Sequence, residues 1–464
     1  MTTMPMDLAG RHVVVMGAGR SGLAASRLLV SRRARVTLAD DRAVNDPDAL
    51  RAEGVAVITG AVPVEVSAGA DLVVVSPGVA IDHPAVAAAR ERGLPVIGEL
   101  ELAWRHLAGS VIAVTGSKGK STTTTLIGRM LEAGGYDVQV GGNIGVALSA
   151  QVACGHQATW HVVETSSFQL ETIDRFRPDI AVWLNFSPDH LDRHGTVDVY
   201  AAAKARVFEN QTSADWAVVN ADDTVVMEAA APCLARRRLF GGPGRVTAGV
   251  TWADGHVVVR EPGEPDRILV PVSAIELKGQ HMLTNGLAAC AVADLVGVAP
   301  EAMRAAFTGF TGLEHALEPL APIGDVQVFN DSKATNVDAA RKGIEAFDSR
   351  VVAIIGGVYK GGDFGLMAAP LARHGGEAVL IGEAADRIEE AFAGRVPTVR
   401  ASSMDDAVSM ALARTRTGDV LLLAPACSSF DMFRDYADRG RAFKDAVARA
   451  RTRAAEGSAG SDEQ

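Results

Sequence analysis

Residues 110–135 place an apolar strand, a glycine loop and a helix in immediate succession: Val111, Ile112, Ala113, Val114 and Thr115, then Gly116-Ser117-Lys118-Gly119-Lys120-Ser121-Thr122, then a helical run ending at Gly134 and Gly135. Few folds accept that order. The glycines let the backbone curl so that several N–H groups face one anion, and the helix N-terminus adds positive potential at the same point. Lys120 is placed to reach terminal phosphates and Ser121 to ligate Mg²⁺, so the segment predicts a nucleotide site on a parallel sheet. The spacing is G-x-x-G-K-S, with Val114 where the commonest form of this loop has its first glycine.

Similar alternation lies on both sides. Upstream, VVVMG, RVTLAD and LVVVSPG alternate with the helical runs SGLAASRLLVS and AVAAARERG. This is the pattern of a parallel α/β unit. Its first turn reads Gly17-Ala18-Gly19-Arg20-Ser21-Gly22, with Asp40 closing the next strand, which is the dinucleotide fingerprint. The same geometry holds any diphosphate at a helix N-terminus, so the motif specifies a diphosphate and leaves nicotinamide open. Downstream, VQVFND, VVAIIGG, AVLIG and DVLLLAPA alternate with runs such as MDDAVSMALART. At 464 residues the chain exceeds the roughly 250–300 over which one core keeps growing. The expectation is α/β with three domains: a Rossmann-like unit over 1–108, a central P-loop unit over 109–313 and a Rossmann-like unit over 314–455. Residues 240–278, with GGPG and EPGEPD, read as exposed strands and loops, and 456–464 as a disordered tail.

Polar clusters fall where the strands end, and strand ends gather in α/β sheets. Glu164 opens ETSSFQLE and His190 lies in NFSPDHLD. Each alone also reads as a cap or surface group, but a phosphate loop upstream makes them candidate metal ligands, since Mg²⁺ takes oxygen ligands beside a nucleotide. Lys204, in VYAAAKARVFEN, reads locally as a solvated lysine. In the last unit, NDSKATN, Lys360 in GGVYKGGDF and APACSSFD form a candidate carboxylate pocket. Cys427 reads as a packed small residue, because nothing local lowers its pKa.

Composition narrows the classes. A net charge of −11 disfavours general nucleic-acid binding. Four scattered cysteines without a CxxC suggest neither disulfides nor zinc, and suit a reducing cytosol. No cationic, apolar and small-residue leader is visible, and apolar runs break well before the roughly 20 residues needed to cross a bilayer. A cytoplasmic protein without membrane insertion is expected.

Taken in order, GAGRSG, SPG, GSKGKST, GGNIG, ETSSFQLE, NFSPDHLDRH, VNADD, GQH, NDSKATN and APACSSFD resemble the Mur ligases from about residue 11 to 450. NDSKATN followed by PACSSFD points to the D-glutamate-adding branch, and the DNPR-type motif of diamino-acid-adding members is absent. The resemblance implies an ATP-dependent, amide-forming ligase of cytoplasmic peptidoglycan precursor synthesis, acting as a monomer on UDP-N-acetylmuramoyl-L-alanine, D-glutamate and ATP through an acyl phosphate. It implies that Ser21, Asp40, Arg42 and Gly78 hold the UDP group of the substrate, with Asn143 near its diphosphate or reacting carboxylate. Residues 116–122 would hold ATP, and Asn285, Asp331 and Lys333 its adenosine and phosphates. Ser121, Glu164, His190 and a carbamylated Lys204 would hold two Mg²⁺ ions. Lys120, Glu164, His190 and Lys204 form the implied catalytic set. Thr335, Lys360, Ser429, Phe430 and Tyr436 would bind D-glutamate.

Three positions depart from the family pattern: Ala316 where an arginine contacts nucleotide phosphates, Tyr359 where an aspartate precedes the lysine, and Met282 where an asparagine follows GQH. Ala316 implies weaker phosphate contacts or a compensating base such as Lys118. Three other readings remain at this stage: a folylpolyglutamate synthase-like ligase, an NAD-dependent oxidoreductase, and a binding protein that keeps the fold without catalysis.

Overall fold

A computed structural model describes residues 6–44, 46–155, 158–275, 280–310, 312, 314–359 and 361–459. By internal contacts the chain forms two compact units, Met1–Phe310 and Thr311–Gln464.

The first unit holds two sheets. One is five-stranded and wholly parallel, in the spatial order Val55–Thr59, Arg35–Asp40, His12–Met16, Leu72–Val75, Val96–Gly98. Its first strand is central and fully covered by helices, which is why Val13, Val14 and Val15 are all apolar and all buried rather than alternating. The strand order reverses beside His12–Met16, and ligands of such sheets bind at that point. The helix Arg20–Ser31 starts there, with Gly19 as its N-cap.

The second sheet has nine strands. Ser110–Thr115 lies between Trp160–Glu164 and Ile180–Trp183, both parallel to it, with Val114 level with Glu164 and Thr115 level with Trp183. This register brings the phosphate loop, Glu164 and the segment carrying His190 to the same edge of the sheet. Helix Lys120–Ala133 continues from the loop and buries Leu126, Ile127, Met130 and Leu131 at its helical period.

Residues 240–275 differ from the expectation of exposed strands and loops, and 276–278 lie outside the described residues. Gly249–Ala253, His256–Arg260 and Arg267–Pro271 extend the central sheet, the last two in antiparallel pairing. Their valines 250, 257 and 259 lie in one core with helix Gln280–Val296, and Val258, on the opposite face, is buried as well, so these strands are packed rather than exposed. The GGPG and EPGEPD signals mark only the connections.

The second unit is a six-stranded sheet in the order Glu318–Ile323, Val326–Asn330, Val420–Leu423, Val351–Gly356, Glu377–Ile381, Thr398–Arg400, parallel except for the first pair. Its final helix runs Tyr436–Ala459, so residues 456–459, expected in the disordered tail, are helical. Residues 460–464 lie outside the described residues.

Candidate functional site: a cavity and a phosphate loop on adjoining sheets

The N-terminal sheet ends in a cavity of about 360 Å³. Ser21, Asp40, Arg42 and Gly78 all line it, as does Asn143 from the central sheet. Asp40 has a structural task there. Its Oδ2 accepts from Ala18 N at 2.7 Å and its Oδ1 from Arg42 N at 2.8 Å, so the carboxylate shapes the glycine turn. In a dinucleotide enzyme this acid meets the ribose hydroxyls. Here each oxygen accepts one backbone N–H and keeps a lone pair for a ligand. Asp41 closes the rim by accepting from Val62 N at 3.0 Å and meeting His83 Nε2 at 2.9 Å. Ala85 N donates to His83 Nδ1, which leaves the proton on Nε2 facing Asp41.

The phosphate loop is held from outside. Asn185, at the end of the neighbouring strand, accepts Lys118 N on its Oδ1 at 2.9 Å and donates from its Nδ2 to Lys118 O at 3.0 Å. Ser187 N donates to Ser117 Oγ, which donates in turn to Ser187 O, both at 2.9 Å. Gly119 has φ 77, the left-handed region where glycine is favoured. A Cβ there would lie 2.3 Å from Asn285 Oδ1, so Asn285 packs directly on the loop. Within the loop, Lys120 Nζ donates to the carbonyls of Gly116 at 2.9 Å and Ser117 at 3.1 Å. Thr122 is buried behind it and Ser121 begins the first helical turn.

Lys204 departs most from its local reading. It is 1% exposed, its Nζ donates to Gly116 O at 2.8 Å, and it stands 4.7 Å over the ring of Tyr200. Burial first, and then the charge of Lys120, push its pKa well below the ordinary lysine value. Tyr200 lies one helical turn before Lys204, and its hydroxyl is pushed up to about 12 by burial. That i, i+4 spacing was the only sequence signal for Tyr200. Glu164 is 2% exposed; its Oε1 accepts from Asn143 Nδ2 at 2.7 Å, and its Oε2 is buried without a hydrogen-bond partner. An anionic oxygen left in that state beside a phosphate loop is of the kind a divalent cation selects, so the donor set fits Mg²⁺. His190, at φ 52, packs its ring 5.0 Å from Phe168 and 6.2 Å from Tyr200, which joins it to the same cluster. Among the described residues no three His, Cys, Asp or Glu form a metal cluster, and Glu164 and His190 are the two of those types in the expected set.

In the second unit, Asp331, Lys333 and Thr335 follow Val326–Asn330, while Ser429 and Phe430 follow Val420–Leu423. The two strands pair with Asn330 level with Leu423, which makes these loops neighbours. Ser429 is buried, Phe430 is 69% exposed, and Tyr436 opens the last helix. Lys360 lies outside the described residues. Ala316 is half-buried, and Tyr359 donates its hydroxyl to Gly362 O at 2.8 Å while its ring lies tilted against Phe364 and under Arg387. Arg439, which no local pattern signalled, is 1% exposed beneath these loops, donating to Ser332 Oγ, Ser332 O and Cys427 O. Burial alone lowers its pKa to about 10.

Asp331 provides a test of this environment. Burial raises its carboxyl from 3.8 to about 7. An acid whose folded pKa lies above its unfolded value contributes stability at low pH that is lost as pH rises to the folded value. Asp331→Asn is therefore expected to stabilise the second unit by about 1–2 kcal/mol at pH 8, with the gain fading toward pH 4. Urea unfolding across that range reads it, and a pH-independent difference would contradict the assignment.

Three family models match the chain: "Mur ligase MurD-like, N-terminal domain" over 11–98, "Mur ligase middle domain" over 114–293 and "Mur ligase, glutamate ligase domain" over 317–427. Among curated relatives, the UDP-N-acetylmuramoylalanine--D-glutamate ligase of Acidobacterium capsulatum is 46% identical, across 95% of this chain and 97% of its own length. That of Koribacter versatilis is 43% identical, across 95% and 98%. Among solved structures, the UDP-N-acetylmuramate-alanine ligase MurC of Thermotoga maritima matches with TM-score 0.57 at 19% identity, covering 95% of this chain and all of the other. The MurF ligase of the same organism, solved with ADP, also gives 0.57, at 16% identity and 96% of each chain, so the likeness in fold outlasts the likeness in sequence. With the phosphate loop, the cavity and the three matched segments lying in one order along one polypeptide, the chain belongs to the Mur ligase family.

Proposed function

We propose that the chain joins D-glutamate to UDP-N-acetylmuramoyl-L-alanine at the expense of ATP, in the cytoplasmic stage of peptidoglycan precursor synthesis. One observation carries this reading: relatives bearing that activity as their name align with 95–96% of the chain at 39–46% identity. The geometry is compatible with it. Asn143 lines the cavity and donates to Glu164, so a substrate whose diphosphate lies on the Gly17–Gly22 turn extends toward the phosphate loop. Among the described residues no helix is long and apolar enough to cross a membrane.

A carboxylate is a poor electrophile, and the reaction activates it first. The L-alanyl carboxylate attacks the γ-phosphorus of ATP, ADP leaves and an acyl phosphate forms. Lys120 and the loop N–H groups offset the charge of two anions brought together. The amine of D-glutamate then attacks the acyl carbon, and the tetrahedral intermediate expels phosphate to leave an amide. Mg²⁺ held by Ser121, Glu164, His190 and a carbamylated Lys204 would supply further charge neutralisation. The depressed pKa of Lys204 favours the neutral amine, whose nitrogen would bond to the carbon of CO₂ with release of one proton to water, and the carbamate so formed would offer an anionic oxygen ligand. Asn285, Asp331 and Lys333 serve ATP; Thr335, Lys360, Ser429, Phe430 and Tyr436 serve D-glutamate. The protein acts as a monomer.

The experiment is ADP release by the purified protein. Release is expected only with ATP, the UDP-muramoyl alanine and D-glutamate together. Release that ignores D-glutamate, or that follows a diamino acid instead, would overturn the proposal.

A further inference from the structure

We propose that Arg193 is a positioning residue for the UDP-bearing substrate, clamping the wall of the nucleotide cavity onto the segment that carries His190. The inference rests on the ligase reading for the identity of that substrate, and on geometry for the clamp.

Residues 76–79 form one wall of the cavity. On one side this wall presses on the glycine turn: Ser76 Oγ donates to Gly17 O at 2.9 Å, and a Cβ on Gly17 would meet Val79 Cγ2 at 2.7 Å. On its other side the backbone carbonyls of Pro77 and Val79 accept from Arg193, at 3.1 Å from Nη1 and 3.0 Å from Nη2. Arg193 stands three residues after His190, on the central domain's side of the first unit.

The guanidinium is itself fixed. Nη2 also donates to Glu171 Oε2 at 2.9 Å, and the group lies 4.6 Å over the ring of Phe168. Glu171 lies against His194, whose Nδ1 is 3.1 Å from Oε1 without hydrogen-bond geometry and whose Nε2 meets Ser167 Oγ at 3.0 Å. His194 packs its ring 5.1 Å from Tyr200, and the Tyr200 hydroxyl is 3.3 Å from Ser117 Oγ in the phosphate loop. A contiguous set of contacts thus joins the cavity wall to the loop that cradles ATP.

Planar geometry makes arginine the suitable residue. Two parallel N–H vectors reach two carbonyls of one turn while a third contact meets a carboxylate, which a lysine ammonium on a flexible stem reproduces only in part. Nothing in the ligase reaction requires a cation at this point, since the charge faces carbonyl oxygens and Glu171 rather than a phosphate. The wall that Val79 builds against Gly17 fixes the width of the diphosphate turn. Loss of the clamp therefore acts on UDP binding.

The test uses the full chain, with UDP and ADP as separate calorimetric probes. Arg193→Met is expected to weaken UDP binding about tenfold while ADP affinity stays within about twofold, with Arg193→Lys restoring UDP binding to within about threefold of the wild type. In turnover the KM for the UDP-sugar rises while that for ATP holds. Should Arg193→Met fail to fold, Glu171→Gln carries the test, weakening UDP binding in the same direction. Wild-type UDP affinity in Arg193→Met, or in Glu171→Gln where it stands in, overturns the inference. So does a parallel loss of UDP and ADP binding with a lowered melting temperature, which marks a merely structural arginine. A wild-type protein that does not bind UDP overturns the cavity assignment and this inference with it. A wild-type protein that binds UDP but releases no ADP with the three substrates overturns only the ligase reading.

Discussion

Lys120→Ala is expected to lower turnover about a thousandfold, roughly 4 kcal/mol of transition-state stabilisation, while leaving the fold in place. The lysine is poised inside its own loop, its ammonium on the carbonyls of Gly116 and Ser117. Those contacts are worth only about 1 kcal/mol each to stability, because water replaces them when the side chain is removed. The catalytic loss is larger because, on the proposed mechanism, the charge acts where a carboxylate meets a triphosphate, and like charges brought together in a water-poor site repel strongly. Steady-state ADP release reads the effect, with a thermal melt as the control. A variant that keeps a tenth of wild-type turnover would show that Lys120 does not face the transferred phosphoryl group.

The glycines of the first turn yield the second large effect, and they separate fold from ligand. A Cβ on Gly22 would lie 1.8 Å from Gly17 O and 2.6 Å from Ser76 Oγ, a clash with backbone that no rotamer relieves. Gly22→Ala is expected to cost at least about 4 kcal/mol of stability, because the helix must move off the strand. Gly19 is different: its φ is −71 and a Cβ there meets nothing within 4 Å. Gly19→Ala should be nearly neutral in urea unfolding, within about 1 kcal/mol, yet weaken UDP binding about tenfold or more, because the second glycine lets the backbone approach a diphosphate. Equal effects of the two substitutions on stability, or normal UDP binding in Gly19→Ala, would place the ligand elsewhere.

These contrasts bear on what each level of description can say. The phosphate loop, the GAGRSG turn and the three α/β stretches were legible because each is local: a strand, a turn and a helix within about 25 residues need no distant partner to be recognised. Asp40 was legible as a member of the turn but not in its task, which depends on Ala18 and Arg42 claiming both its oxygens. The burial of the strands between 249 and 271 was not legible because it depends on packing against helix Gln280–Val296, and a consecutive run such as Val257–Val259 carries no alternation to mark a buried face.

By itself the sequence determined the order of the α/β stretches and the strand–loop–helix form of residues 110–133, since those follow from backbone requirements and periodicity over short spans. Only the tertiary structure decided that Lys204 is buried with Lys120 on the carbonyl of Gly116, that Asn143 bridges to Glu164, and that Arg193 holds the wall of another sheet's cavity. The physical reason is sequence distance. Those pairs stand 84, 21 and more than 110 residues apart, and desolvation, which sets their charge states, is a property of the packed surroundings that no local stretch encodes.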